Sequence, residues 1–165
     1  MKVLKEQDGV AYIAMLFMVT VAGIALMMAA EMWSTTEKRM KEAELLYKGR
    51  EIALALGSFY KGSPGIKRYP LTLEELLKDK RFRSTKRHLR KIYPDPMTRK
   101  ADWELIKNKQ GGIIGISSTS TERPMKQANF KEGMEEFEDS ASYAEWRFNY
   151  KDIIEAPLKK KEKKG

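Results

Sequence analysis

The chain has 165 residues, 32 Lys and Arg against 23 Asp and Glu for a net charge of +9, and no cysteine. The missing thiols exclude disulfides, cysteine-ligated metals and thiol catalysis, and are compatible with cytoplasm and periplasm alike. With roughly thirty residues committed to an apolar segment and its leader, the remainder supports one small domain rather than two.

Residues 1–9 are polar and end in Gly9, and Val10 to Ala30 follow without a single charge. At about 1.5 Å rise per residue these 21 residues cover roughly 30 Å, the thickness of a bilayer's hydrocarbon core. A secretory signal peptide has a shorter apolar region and a small-x-small cleavage pattern, which Met28-Ala29-Ala30 fits poorly. Glu31 to Phe59 keeps helix-forming composition without proline, and Leu45, Gly49, Ile52, Leu56 and Phe59 recur at spacings of three and four. The spacing predicts one helix from Val10 to about Tyr60, stopped by Gly62-Ser63-Pro64-Gly65.

Thr72-x-x-Glu75 has the form of a capping box opening a short helix through about Lys78, with Leu73, Leu76 and Leu77 turned inward. Lys78, Lys80, Arg81, Arg83, Lys86, Arg87, Arg90 and Lys91 surround the single histidine, His88, which is read as a solvated surface residue whose cationic neighbours disfavour its protonation. Asp102 to Lys107 and Gly112 to Ser117 read as two strands joined by the Asn108 to Gly111 turn. Glu122 to Asp139 lacks both periods and reads as a long loop. Tyr143 to Ile153 alternates Trp146, Phe148 and Tyr150 with polar neighbours, the pattern of a half-buried strand. Three antiparallel strands laid on the later half of the long helix, anchored by Trp103 and Trp146, would give an α+β domain over 31–155, after the span at 10–30 and before a basic, disordered tail at 156–165.

Catalysis has little to stand on: no Ser/His/Asp grouping, phosphate-binding glycine loop or metal-ligand spacing is visible, and no enzyme is expected. The cationic segments could attract nucleic acid, but Phe82 and Tyr93 are not spaced as a stacking platform, and anionic lipid or acidic partners account for the charge equally well.

A short leader ending in glycine, an apolar helix start and a long amphipathic continuation together resemble the N-terminus of type IV pilins and of the pseudopilins of type II secretion systems. Counting Val10 as the first mature residue, Gly23 falls where that family commonly has a glycine in the apolar helix. Arg68-Tyr69-Pro70-Leu71-Thr72-Leu73-Glu74-Glu75-Leu76-Leu77 is similar to a Tyr-Pro-x-Thr-Leu-Glu-Glu-Leu segment of the major-pseudopilin-like group, and Tyr93-Pro94-Asp95-Pro96 to its Tyr-Pro-x-Asp-Pro turn, with Trp103 in the strand beyond. The resemblance implies cleavage after Gly9 by a prepilin peptidase, N-methylation of Val10, and a helix that lies first in the inner membrane and then in a filament core. It also implies a domain outside the cytoplasm, and as partners the bilayer, other pseudopilin subunits and an inner-membrane secretion platform driven by a separate ATPase. Major pseudopilins often hold calcium near the C-terminal strand. Here Glu135, Glu136, Glu138, Asp139 and Ser140 supply oxygens, with Glu138 and Asp139 the candidates, but their spacing matches no calcium loop and the chain is read as cofactor-free.

Two departures stand out. The family usually carries phenylalanine at the first mature position and glutamate at the fifth, where this chain has Val10 and Ala14. In the family that acid offsets a neighbouring subunit's N-terminal amine, and Glu31, roughly 25 Å further along the helix, cannot replace it. The basic residues also sit oddly: Lys2 and Lys5 precede the span while Lys38, Arg39, Lys41, Lys48 and Arg50 follow it, yet in a long translocated domain such a count weighs little. The expectation is therefore a pseudopilin-like subunit of a type II secretion filament, with a minor type IV pilin for pilus biogenesis or DNA uptake, or a bitopic anchor with a basic binding domain, as alternatives.

Overall fold

The computed structural model describes residues 4–155. Helix α1, Leu4–Lys61, is followed by the one-turn helix α2, Glu74–Leu77, and by strands β1, Glu104–Lys107, β2, Ile113–Ser117, and β3, Phe148–Asn149. The strands form one antiparallel sheet in the order β1-β2-β3, and the fold is α+β with a pilin-like arrangement of helix and sheet. By backbone proximity the chain divides into two units, 1–38 and 39–165. The first unit, over its described residues, is helix alone. The basic tail expected over 156–165 lies outside the described residues.

In the second unit the predicted stripe of α1 forms the core floor: Leu45, Ile52, Leu56 and Phe59 are all fully buried. Two glycines on that face set how closely the sheet approaches. A Cβ on Gly49 would stand 2.5 Å from the Phe148 ring, and one on Gly57 would collide with the ring of Tyr150. Small residues in the helix are what allow large aromatics to lie flat on it. The helix ends where expected, with Gly62 N donating to Ser58 O (2.9 Å) and Gly65 taking a positive φ of 81°.

The capping box is a correction. Helix α2 starts at Glu74, with Leu73 in the cap position and no side-chain cap, and Glu75 Oε1 accepts from Leu71 N (3.2 Å) instead. Glu75 thus reaches back past the helix start to satisfy a donor in the preceding loop. Leu76 is fully buried, while Leu73 and Leu77 pack half-buried against the core. The β1–β2 hairpin matches its prediction, because Asn108 Oδ1 accepts from both Gln110 N and Gly112 N (2.9 Å each) and Gly111 takes a φ of 80°.

The C-terminal strand is a second correction. Of Tyr143 to Ile153 only Phe148 and Asn149 pair, with Ile116 and Gly115; Tyr143–Glu145 is a 3-10 turn and Lys151–Glu155 a π-helical turn. The alternation nevertheless reports burial correctly: Trp146 and Phe148 are 0% exposed and Tyr150 is 6% exposed. Phe148 enters the core from the ladder and meets the Phe137 ring edge-on at 5.2 Å, whereas Trp146 lies outside the ladder and enters by packing on other rings. Trp146 lies parallel to Phe137 at 5.6 Å, and Phe130 and Tyr143 meet it edge-on at 5.4 and 5.2 Å. Residues 122–139 are irregular except for the 3-10 turn Glu135–Phe137, but they are part of the core wall, burying Met134 and Phe137.

Candidate functional site

Every residue from Val10 to Ala30 is solvent-exposed, with large apolar side chains on all sides of the helix, among them Tyr12, Ile13, Phe17, Val19, Ile24 and Leu26. A globular protein buries such residues; here nothing in the first unit covers them. The aliphatic hydroxyl in this stretch, that of Thr20, donates back to Leu16 O (2.7 Å), so the helix presents no unmatched polar group from that side chain. Ala14 is exposed, and at Gly23 an added Cβ would meet nothing within 4 Å, which leaves an open notch in the surface. This helix is long and apolar enough to cross a membrane. Gly9 lies within α1, so the Gly9–Val10 peptide bond is helical.

The motif residues of the second unit hold loops in place. Tyr69 stacks on Tyr60 (4.4 Å between ring centres), and burial pushes its hydroxyl pKa up. Pro70 is buried and its carbonyl accepts from Ile113 N (2.8 Å), tying the pre-α2 loop to β2. Glu75 also faces Arg68 (3.4 Å). Asp95 is fully buried: Oδ1 accepts from Met97 N (2.8 Å), Oδ2 accepts from the Ser118 hydroxyl (2.5 Å), and the turn closes through Asp95 N to Lys100 O (2.7 Å). Pro96 is buried beside it. Trp103 sits one residue before β1, and its indole N–H donates to Tyr93 O (2.7 Å). Trp146 Nε1 is buried without a partner.

His88 corrects the surface reading. Its side chain is 1% exposed, with Nε2 3.2 Å from Asp79 Oδ2 and Nδ1 2.8 Å from Ser58 Oγ on α1. The structure therefore assembles a Ser58–His88–Asp79 grouping that residues so far apart in sequence do not announce. Arg81 governs it. Its guanidinium donates to Asp79 Oδ1 (2.8 Å) and Oδ2 (2.6 Å), to Phe59 O (2.9 Å) and to Ser63 Oγ, and lies over the Phe59 ring (3.6 Å). Hydrogen bonding from the Arg81 guanidinium is the main reason the Asp79 carboxyl is held far below its ordinary range, with the Arg81 backbone N–H and then His88 adding to it, all against a burial effect of opposite sign. Arg81 thereby closes the open end of α1 by taking its Phe59 carbonyl. Of the basic run, Arg81 is structural; Lys86 lies over the Phe82 ring (4.4 Å).

A further buried acid, unremarked in the sequence, is Glu42 on α1. It is 4% exposed, and its Oε1 accepts from Met125 N (2.5 Å), Lys126 N (3.2 Å) and the Tyr143 hydroxyl (2.8 Å). Burial, and next the bond to Glu42, push the Tyr143 hydroxyl pKa up. Glu42 stands three residues before Leu45, in register with the apolar stripe, and that register is the signal that could have found it.

The acidic stretch does not converge. Glu138 Oε1 accepts from Asn129 N (3.2 Å), Glu135 Oε2 from Gly133 N (2.7 Å), and Asp139 adopts a positive φ of 55°. Among the described residues no three His, Cys, Asp or Glu side chains come together to hold a metal.

No family model matches the chain, and no curated protein or solved structure shows significant similarity to it.

Proposed function

We propose that the chain is a pseudopilin-like structural subunit of a type II secretion filament, anchored in the inner membrane by Val10 to Ala30 with its α+β domain in the periplasm, and carrying out no chemistry of its own. The observation that carries this reading is the uncharged helix, exposed on every side, in one chain with a small helix-on-sheet domain. Such a surface needs lipid or other helices around it. A helix that serves first in a bilayer and then in a bundle of its own kind meets both needs.

Maturation on this reading removes residues 1–9. The scissile bond lies inside a helix, so a peptidase must first unwind it, and a glycine at that point lowers the cost by about 1 kcal/mol relative to alanine. Prepilin peptidase, the sister subunits and an inner-membrane assembly platform are the proposed partners. Gly9→Leu is expected to leave full-length protein in the membrane, read by intact mass or gel mobility; normal processing of Gly9→Leu would overturn the prepilin assignment.

A further inference from the structure

Beyond the uncharged span, the large apolar side chains that α1 leaves exposed are few and regularly placed. Met32 and Trp33 are exposed in the first unit, and in the second Met40 and Tyr47 are 61% and 63% exposed. Trp33, Met40 and Tyr47 stand seven residues apart, and counting back by sevens gives Leu26, Val19 and Tyr12, all exposed as well. A bilayer imposes no such period, and the one that would cover Val10 to Ala30 does not account for Met40 and Tyr47. A straight helix drifts about 20° per heptad against a seven-residue repeat, so a repeat kept this long marks a line along which two helices wind on each other. Three residues after members of the series come Ala22, Ala29, Thr36 and Ala43, small enough to let a second backbone approach.

In the second unit α1 carries two stripes. Leu45, Gly49, Ile52 and Leu56, at the third and sixth positions of the count, are buried, whereas Met40, Ala43 and Tyr47, at the first and fourth, are exposed. The domain core therefore leaves this second stripe uncovered. Its charged borders differ: Arg39 stands at the seventh position, and Glu37, Glu44 and Glu51 all stand at the fifth. Arg39 and Glu44 are both exposed, Glu44 beside its intrahelical partner Lys48 (2.8 Å). A parallel pair in register sets the seventh position of one helix against the fifth position of the next heptad on its partner, which matches Arg39 with Glu44 twice by symmetry. An antiparallel pair would set the glutamates of the fifth positions against one another.

We propose that the exposed stripe of α1 is a coiled-coil seam that pairs with the same stripe of a second copy of this chain, parallel and in register. The self-match of Arg39 and Glu44 names the second copy as the occupant; the parallel direction rests on the membrane-anchored part of the proposed function, since one span in one bilayer orients both copies alike. A fragment without the span keeps only about two heptads and stays monomeric, because a seam of this kind needs roughly three or four, whereas the anchored chain has the longer repeat and is confined to a membrane.

The chain has no cysteine, so single-cysteine variants of the full chain report contacts in its native membranes without background. On mild oxidation Met40→Cys, Ala43→Cys and Tyr47→Cys should each give a disulfide-linked dimer of twice the chain's mass, because the first and fourth positions of a parallel pair bring like residues within disulfide reach. Lys109→Cys, exposed at the β1–β2 turn, should not. In the Tyr47→Cys chain, Arg39→Glu or Glu44→Arg alone should lower the dimer yield about fivefold, and the two together should restore it. Crosslinking at Lys109→Cys equal to that at Met40→Cys, or single-charge variants that crosslink like their parent, overturns the seam. An adduct of any other mass overturns the second copy as its occupant. A processed, methylated chain that never crosslinks overturns the seam and leaves the filament reading standing, while a dimer of uncleaved chains supports the seam and counts against the filament reading alone.

Discussion

At the scale of single residues, the arginine at position 81 decides how the end of the long helix is held. Its guanidinium joins a helix carbonyl, a hydroxyl and both oxygens of an acid that is 1% exposed. Removing one member of a buried pair strands the other charge, so Arg81→Ala should cost about 3 kcal/mol or more, whereas Arg81→Lys would restore the charge without the planar fork. Asp79 also sets an acid sensitivity. Its folded-state pKa lies below that of an unfolded aspartate, so its contribution is fully present above about pH 4 and is lost as the pH falls below that value. Thermal melts of the wild type should therefore steepen in their pH dependence below about pH 4, and Arg81→Ala should flatten that slope; an unchanged slope would show that Asp79 is not the titrating group. This is also where the sequence misleads most. His88 sits in a run of cations, and its true neighbours, Ser58 and Asp79, are brought to it by tertiary packing from 30 and 9 residues away.

At the scale of elements, what periodicity reports is burial, and burial and hydrogen-bonded structure part company at the C-terminus. The helix was legible because its stripe repeats over several turns and its stop signal is local. The hairpin was legible because Asn108 and Gly111 fix it within a few residues. The β3 region was legible only in part, since Trp146, Phe148 and Tyr150 alternate inward while only Phe148 of the three stands in the ladder and ring contacts hold Trp146. Glu75 shows the converse case, a correct residue with a different bond, because a carboxylate in the first turn of a helix can reach back to a free N–H of the preceding loop. Trp146→Ala should cost about 3 to 5 kcal/mol out of a total of about 5 to 15 kcal/mol. Trp146→Phe should cost far less, because the indole N–H it removes has no partner. Denaturant melts of the two variants compare them directly, and a wild-type-like Trp146→Ala would show that the aromatic stack does not carry the domain.

At the scale of the whole molecule, the chain combines an uncovered apolar helix with a domain whose core is closed without it. A fragment starting at Thr36 should therefore stay soluble and monomeric, since it drops the exposed Val10 to Ala30 surface and keeps Leu45 to Phe59 under the sheet. The absent acid at position 14 bears on how the full chain assembles. If filaments of this kind match a neighbour's N-terminal amine with an acid at that depth, the wild type should incorporate at a filament tip or beside subunits that carry the acid, and Ala14→Glu should increase crosslinked ladders in membranes. Poorer insertion or assembly of Ala14→Glu would mean that no amine meets it there, and abundant homopolymer from the wild type would remove the reason to regard it as a minor subunit.

The central claim is that this is a processed filament subunit and not a plain membrane anchor. Intact mass of the protein isolated from its native membranes tests it most directly. The expected result is a chain beginning at Val10, lacking residues 1–9 and carrying one added methyl group. A mass corresponding to the uncleaved N-terminus would contradict it.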